Sequence, residues 1–119
     1  MSKPDDPTEL ISVQVDQSAD RAVAFLVGEL DMSNAAEVLR RLTEVAAGSP
    51  RLEVDLSRLG FIDSAGITAL HRLHRSLEQE PGERLRILAA PDSVAGRTLR
   101  LAGMDRVLPM QPPDESAEP

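Results

Sequence analysis

Asp63 and Ser64 place a carboxylate and a hydroxyl side by side, followed by Ala65 and Gly66 and then by a helical repeat. With Asp63 as N-cap, Ser64 becomes the first residue of that helix, where loose backbone N–H groups and the positive end of the dipole favour negative charge. One use for such a serine is as a nucleophile, with His71 and His74 as the candidate bases. Geometry argues against it. Ser64 and His71 fall on one helix, and about 1.5 Å of rise per residue separates them by roughly 10 Å, beyond the reach of a nucleophile and its base. A nucleophile elbow also needs glycine two residues before the serine, and Ile62 stands there. No catalytic residue is therefore assigned, and the chain is read as a non-enzyme. Two readings of Ser64 stay open: an acceptor for modification, or a small polar residue that simply starts a helix. Gly66 is likewise either an uncluttered approach for another protein or an allowance for tight helix-to-sheet packing.

Metals and cofactors find little support. Cysteine is absent, and His71 and His74, three residues apart, have no carboxylate at ligand spacing. Gly28, Gly60 and Gly66 match neither the dinucleotide nor the Walker spacing, so they read as turn or close-approach glycines. No cofactor and no metal site is expected.

The elements that carry these residues follow from hydrophobic period. Leu52, Val54 and Leu56 alternate with Glu53 and Asp55 as a strand, and Leu59, Phe61 and Ile62 continue it as a buried approach. After Asp63 the period becomes helical, with Ile67, Leu70, Leu73 and Leu77 on one face and Arg72, His74, Arg75 and Glu78 elsewhere. Ile62 and Ile67 occupy the hydrophobic-staple positions around the cap. Upstream, Ile11, Val13 and Val15 form a strand, Asp16 to Asp20 a turn, and Ala22 to Val27 a second strand, paired as a hairpin. Ser33 or Asn34 is expected to cap a helix whose face is Ala35, Val38, Leu39, Leu42, Val45 and Ala46, stopped by Gly48 and Pro50. Downstream, Glu80-Pro81-Gly82-Glu83 is a turn, Leu85 to Leu88 a strand, and Pro91-Asp92 the start of a helix through Val94, Thr98, Leu99 and Leu101. Val107-Leu108 is the expected edge strand. The order ββαβαβα(β) predicts an α/β fold: a mixed sheet of four to five strands packed with three to four helices, antiparallel in the hairpin and parallel elsewhere.

The chain has 119 residues, the size of one domain. Residues 10–110 are expected to form it, flanked by flexible tails at 1–9 and 111–119 that are rich in Pro, Asp, Glu and Ser. Its net charge is −7, but much of it lies in those tails: Asp5, Asp6 and Glu9 face only Lys3, and Asp114, Glu115 and Glu118 face no base. Two Phe and no Trp or Tyr leave little for bases to stack on, and basic residues are not in excess, so direct nucleic-acid binding is not expected. No apolar run is long enough to span a bilayer and the first residues are polar, which predicts a cytoplasmic protein with no membrane association.

Gly28-Glu29-Leu30-Asp31, Val54-Asp55-Leu56-Ser57 and Phe61-Ile62-Asp63-Ser64-Ala65-Gly66-Ile67, in this order and spacing, resemble the STAS domain of bacterial anti-sigma-factor antagonists. The resemblance covers residues 10–108, and its most specific part is the Asp-Ser-small-Gly segment. It implies that Ser64 is phosphorylated by a partner that is both anti-sigma factor and serine kinase. The unmodified antagonist would bind that partner and release a sigma factor, phosphorylation would end the pairing, and a serine phosphatase would restore it. It further implies a partner surface around Asp31, Ser33, Asn34, Asp63, Ala65, Gly66 and Ile67, on a monomer or weak dimer. Ala65 departs from members that carry a second hydroxyl there, which bears on kinase and phosphatase recognition but leaves the acceptor in place. The alternatives within the family are a component of a stress-signalling scaffold and an accessory subunit of a lipid or anion transporter.

Overall fold

Ala22 and Ala24 pair with Leu52 and Val54 on the neighbouring strand, and these four together with Leu26 and Leu56 beyond them are fully buried. The structure, a computed structural model, describes residues 10–113, so the expected tails lie outside it except for residues 111–113. The strands are β1 (Ile11–Gln17), β2 (Ala22–Leu30), β3 (Leu52–Ile62), β4 (Leu85–Leu88) and β5 (Met110–Gln111). They lie in the order β1-β2-β3-β4-β5, with β1 antiparallel to β2 and the other neighbours parallel. Helices α1 (Ala35–Ala47), α2 (Ser64–Leu77) and α3 (Val94–Leu101) connect the parallel strands, as crossovers between parallel neighbours must. A 3-10 turn, Met104–Arg106, follows α3. The expected element order and mixed sheet are thus observed.

One cluster joins the inward residues of the sheet to Val38, Leu42 and Ala46 of α1, Leu70, Leu73 and Leu77 of α2, and Ala95 and Leu99 of α3. The alternate positions of the sheet, including Val23, Phe25, Asp55 and Arg86, stay outside that cluster. Glu53 points to this second face, yet only 5% of it is exposed. It sits among three guanidinium groups: Arg21 at 3.4 Å, Arg86 at 3.7 Å and Arg51 at 3.9 Å. Three cations around one carboxylate compensate the cost of burying it, which strict alternation of apolar and polar residues does not foresee.

Several expectations need correction. Phe61 is 46% exposed, whereas Leu59 and Ile62 are buried as expected. Adjacent strand residues face opposite sides, so with Ile62 inward Phe61 must point out. The hairpin turn starts at Ser18, because Asp16 and Gln17 still pair with Val23 and Ala22. Helix α3 begins at Val94 with Ser93, not Pro91 or Asp92, as its cap. Its buried face is Ala95, Gly96 and Leu99, while Val94 and Leu101 are exposed. The edge strand is Met110–Gln111, not Val107-Leu108. The amides of Val107 and Leu108 both donate to the Met104 carbonyl, so they are spent on the 3-10 turn.

Candidate functional site

Strand β3 runs eleven residues through the middle of the sheet and ends at Ile62, which delivers Asp63 and Ser64 to the carboxyl edge of the parallel strands. Asp63 has extended backbone geometry and its Oδ1 accepts the Gly66 N–H at 3.0 Å, the expected N-cap. Ser64 follows as the first residue of α2 and is exposed. Gly66, at the third helical position, is buried, and a Cβ there would lie 2.8 Å from Leu30 Cγ and 2.9 Å from Ile62 Cγ1. Tight packing of the helix start against β2 and β3 is therefore a sufficient reason for this glycine. Ile62 is buried and Ile67 half-buried on the same side of the cap, packed into one core.

The second carboxylate oxygen of Asp63 does something a cap alone does not require. Oδ2 accepts the backbone N–H of Met32 at 3.1 Å, and the Asp63 N–H donates to the Leu30 carbonyl at 3.2 Å. The segment between β2 and α1 is thereby tied to the start of α2. That segment is itself wound tightly. Asp31 Oδ1 accepts from the Ser33 amide at 2.9 Å and the Ser33 hydroxyl at 2.6 Å. Asn34 Oδ1 accepts the Asp31 amide at 3.0 Å, and its Nδ2 donates to the Glu29 carbonyl at 2.9 Å. Asn34 occupies the cap position of α1 but its side chain makes no capping bond, because it is turned back into this loop. Ser33 does not cap the helix either.

Upstream, Gly28 adopts φ +121°, and a Cβ there would come within 2.1 Å of the Leu10 carbonyl oxygen. That oxygen accepts the Glu29 amide at 2.8 Å, so the glycine allows the backbone of β1 to close on the root of the Asp31 loop. The sequence-predicted residues Asp31, Ser33, Asn34, Asp63, Ser64, Ala65, Gly66 and Ile67 thus fall on two segments joined through Asp63. Sequence reasoning missed Met32, whose side chain is 80% exposed beside them, and Phe61, exposed just before the turn. Exposed large apolar residues flanking a polar turn are a signal that periodicity does not mark. Between α1 and α2, starting beside Ser64, lies a groove of about 340 Å³ lined mostly by small residues, with Met32 at its lip.

His71 is half-buried on α2, and His74 Nε2 lies 3.4 Å from Glu78 Oε1, so contrary to expectation one carboxylate does stand a helical turn from His74. Among the described residues no group of three or more His, Asp or Glu is arranged to hold a metal ion.

A five-stranded sheet in sequential order, with a serine exposed at the start of the helix that follows its central strand, defines an α/β domain of the STAS type. The family described as Mlab, STAS domain, matches residues 13–110, and the chain belongs to this family. A protein named anti-sigma-F factor antagonist RsfB from Mycobacterium tuberculosis is 32% identical over 108 residues, covering 89% of this chain and 82% of its own. The crystal structure of an anti-sigma factor antagonist from Mycobacterium paratuberculosis superposes with TM-score 0.76 at 26% identity, covering 98% of this chain and 93% of that one. The Bacillus cell fate determinant SpoIIAA in its phosphorylated form shares the fold at TM-score 0.65 and 20% identity, covering 88% of this chain and 94% of that one.

Proposed function

We propose that this chain is an anti-sigma-factor antagonist, a binding module and not an enzyme, that pairs with a serine-kinase anti-sigma factor and so releases a sigma factor. Phosphorylation of Ser64 ends the pairing and a serine phosphatase restores it. The observation that carries this reading is the exposed Ser64 at the start of α2, beside a carboxylate that also holds the neighbouring loop. The similarity to RsfB over most of both chains supports the same role. In this reading the partner meets Asp31, Ser33, Asn34, Asp63, Ala65, Gly66 and Ile67 around the acceptor, and the protein works in the cytoplasm. No helix among the described residues is long and apolar enough to cross a membrane.

Magnitudes favour a switch at the contact surface over one that refolds the domain. A phosphate adds about −1.5 to −2 charges and gains about 0.3–1 kcal/mol from the helix dipole, part of which the Asp63 carboxylate offsets by repulsion. Leaving that charge unpaired in a desolvated interface costs about 3–5 kcal/mol, a loss of more than about a hundredfold in affinity. That a phosphorylated relative keeps the same fold agrees with this balance.

The test is a lysate pull-down from the native host with unsubstituted, Ser64→Ala and Ser64→Asp baits, read by mass spectrometry. Recovery of a serine-kinase anti-sigma factor with the first two baits and its loss with the third is the expected result. The same partners on all three baits would reduce Ser64 to a helix start and favour the scaffold or transporter role.

A further inference from the structure

We propose that the groove between α1 and α2 receives an apolar side chain of the same anti-sigma partner, with an acidic group of that partner paired to Arg72. This rests on the reading of Ser64 as the partner-facing acceptor and extends the contact away from it. Four observations carry it. First, the groove is continuous with the acceptor: Ala65, the residue after Ser64, lines it, and Met32 forms its opposite lip. The Asp63 carboxylate that caps α2 also holds the Met32 amide at 3.1 Å, so lip and acceptor are positioned by one residue.

Second, its size is restrictive. About 340 Å³ is at the lower end of small-ligand pockets, suited to one or two side chains and not to a large cofactor. Third, its walls are mostly small or apolar. Ala36 and Leu39 from α1 face Ala65 and Thr68 from α2, so an incoming side chain comes close to both helices. Met32, unbranched and 80% exposed, can fold over whatever enters.

Fourth, the charge is one-sided. Arg72 closes the far end of the groove, seven residues beyond Ala65 and so roughly 10 Å along α2. None of the ion pairs among the described residues includes Arg72, and no carboxylate lines the groove. An acidic residue on the partner, one to two helical turns from the apolar anchor, complements it. A charge at this rim steers association and fixes register, while the buried apolar anchor supplies affinity.

The experiment uses the full chain and the anti-sigma factor recovered with the Ser64→Ala bait, purified and titrated calorimetrically. Ala36→Leu fills the groove from an exposed helix position, and Arg72→Glu reverses its one charge. Urea denaturation of each variant checks the fold. Each substitution is expected to weaken binding about tenfold and to raise the KM for Ser64 phosphorylation without lowering kcat. A merely structural effect would instead show in the urea midpoint. Affinities within twofold of the unsubstituted chain for both variants, while Ser64→Asp still abolishes binding, would overturn the groove and leave the proposed function standing. Unchanged binding by Ser64→Asp as well would overturn that function itself, and the groove proposal with it.

Discussion

Helices α2 and α3 start from the same four-residue pattern, Asp63-Ser64-Ala65-Gly66 and Ser93-Val94-Ala95-Gly96. In each the cap side chain accepts the N–H of the glycine at 3.0 Å, and in each that glycine is buried where a Cβ would meet close neighbours. The cap and the glycine are therefore devices that this fold uses twice for close approach at a helix start, against Leu30 and Ile62 of the sheet in α2 and against the preceding turn at Ala90 in α3. The difference lies in two places. Residue one of the helix is a hydroxyl in α2 and the aliphatic Val94 in α3. The cap of α2 has a second oxygen that reaches across to Met32, whereas the Ser93 hydroxyl turns back to the Ala90 carbonyl at 2.7 Å within its own turn. Those two differences are what set the start of α2 apart from an otherwise matching helix start.

The largest expected effect separates the two glycines. In Gly96→Ala the new Cβ would sit 2.0 Å from the Ala90 carbonyl oxygen, a backbone atom that cannot step aside. A loss of about 3 kcal/mol is expected, read as a shift in the urea midpoint at constant slope. Gly66→Ala meets the Leu30 and Ile62 side chains instead, which can adjust, and regains part of the cost through better helix propensity. It should cost about 1 kcal/mol, and an equal loss at both sites would break the distinction between backbone and side-chain crowding.

Next come the caps. Ser93→Ala removes both a cap and the bond to Ala90, and should cost about 1 kcal/mol with no change in partner binding. Asp63→Ser copies the α3 start into α2, keeping the bond to Gly66 while giving up the one to Met32. Its stability should fall by less, about 0.5 kcal/mol, but amide exchange at Met32 should quicken and partner affinity drop. Unchanged exchange at Met32 would show that the tether is not what holds the loop.

The smallest effect is at the surface of α1. The Arg40 guanidinium, hydrogen-bonded to Glu37, holds that carboxyl below its usual range. A depressed folded-state value contributes stability above the unfolded value and loses it as pH falls through the folded one. The difference in thermal midpoint between the parent chain and Glu37→Gln should therefore be slight at neutral pH, because both side chains are solvent-exposed, and vanish in acid as Glu37 is protonated.

What could be read from the residues follows the same division. The change from a two-residue to a 3.6-residue period around Asp63 locates the central strand, the cap and α2, since Leu70, Leu73 and Leu77 mark the inward face of the helix even though Gly66 and Ala69 on that face are small. Helix α3 was misplaced at its start because its inward face is Ala95, Gly96 and Leu99, two of them too small to register as hydrophobic period, while the conspicuous Val94 and Leu101 face solvent. Glu53 looked like an outward polar position because its partners Arg21, Arg51 and Arg86 come from three separate segments. The Met32 tether was illegible for a different reason: its donor is a backbone amide, which no residue type announces.

The strands lie across the sheet in the order in which they occur along the chain. A chain emerging from a ribosome can therefore add each strand to one already paired, without waiting for a later segment to be inserted between two earlier ones. The β1–β2 hairpin is complete before α1 has been made, and each helix-plus-strand unit extends the edge by one place. Such growth keeps loop-closure costs small at every step and favours folding during synthesis over folding after release.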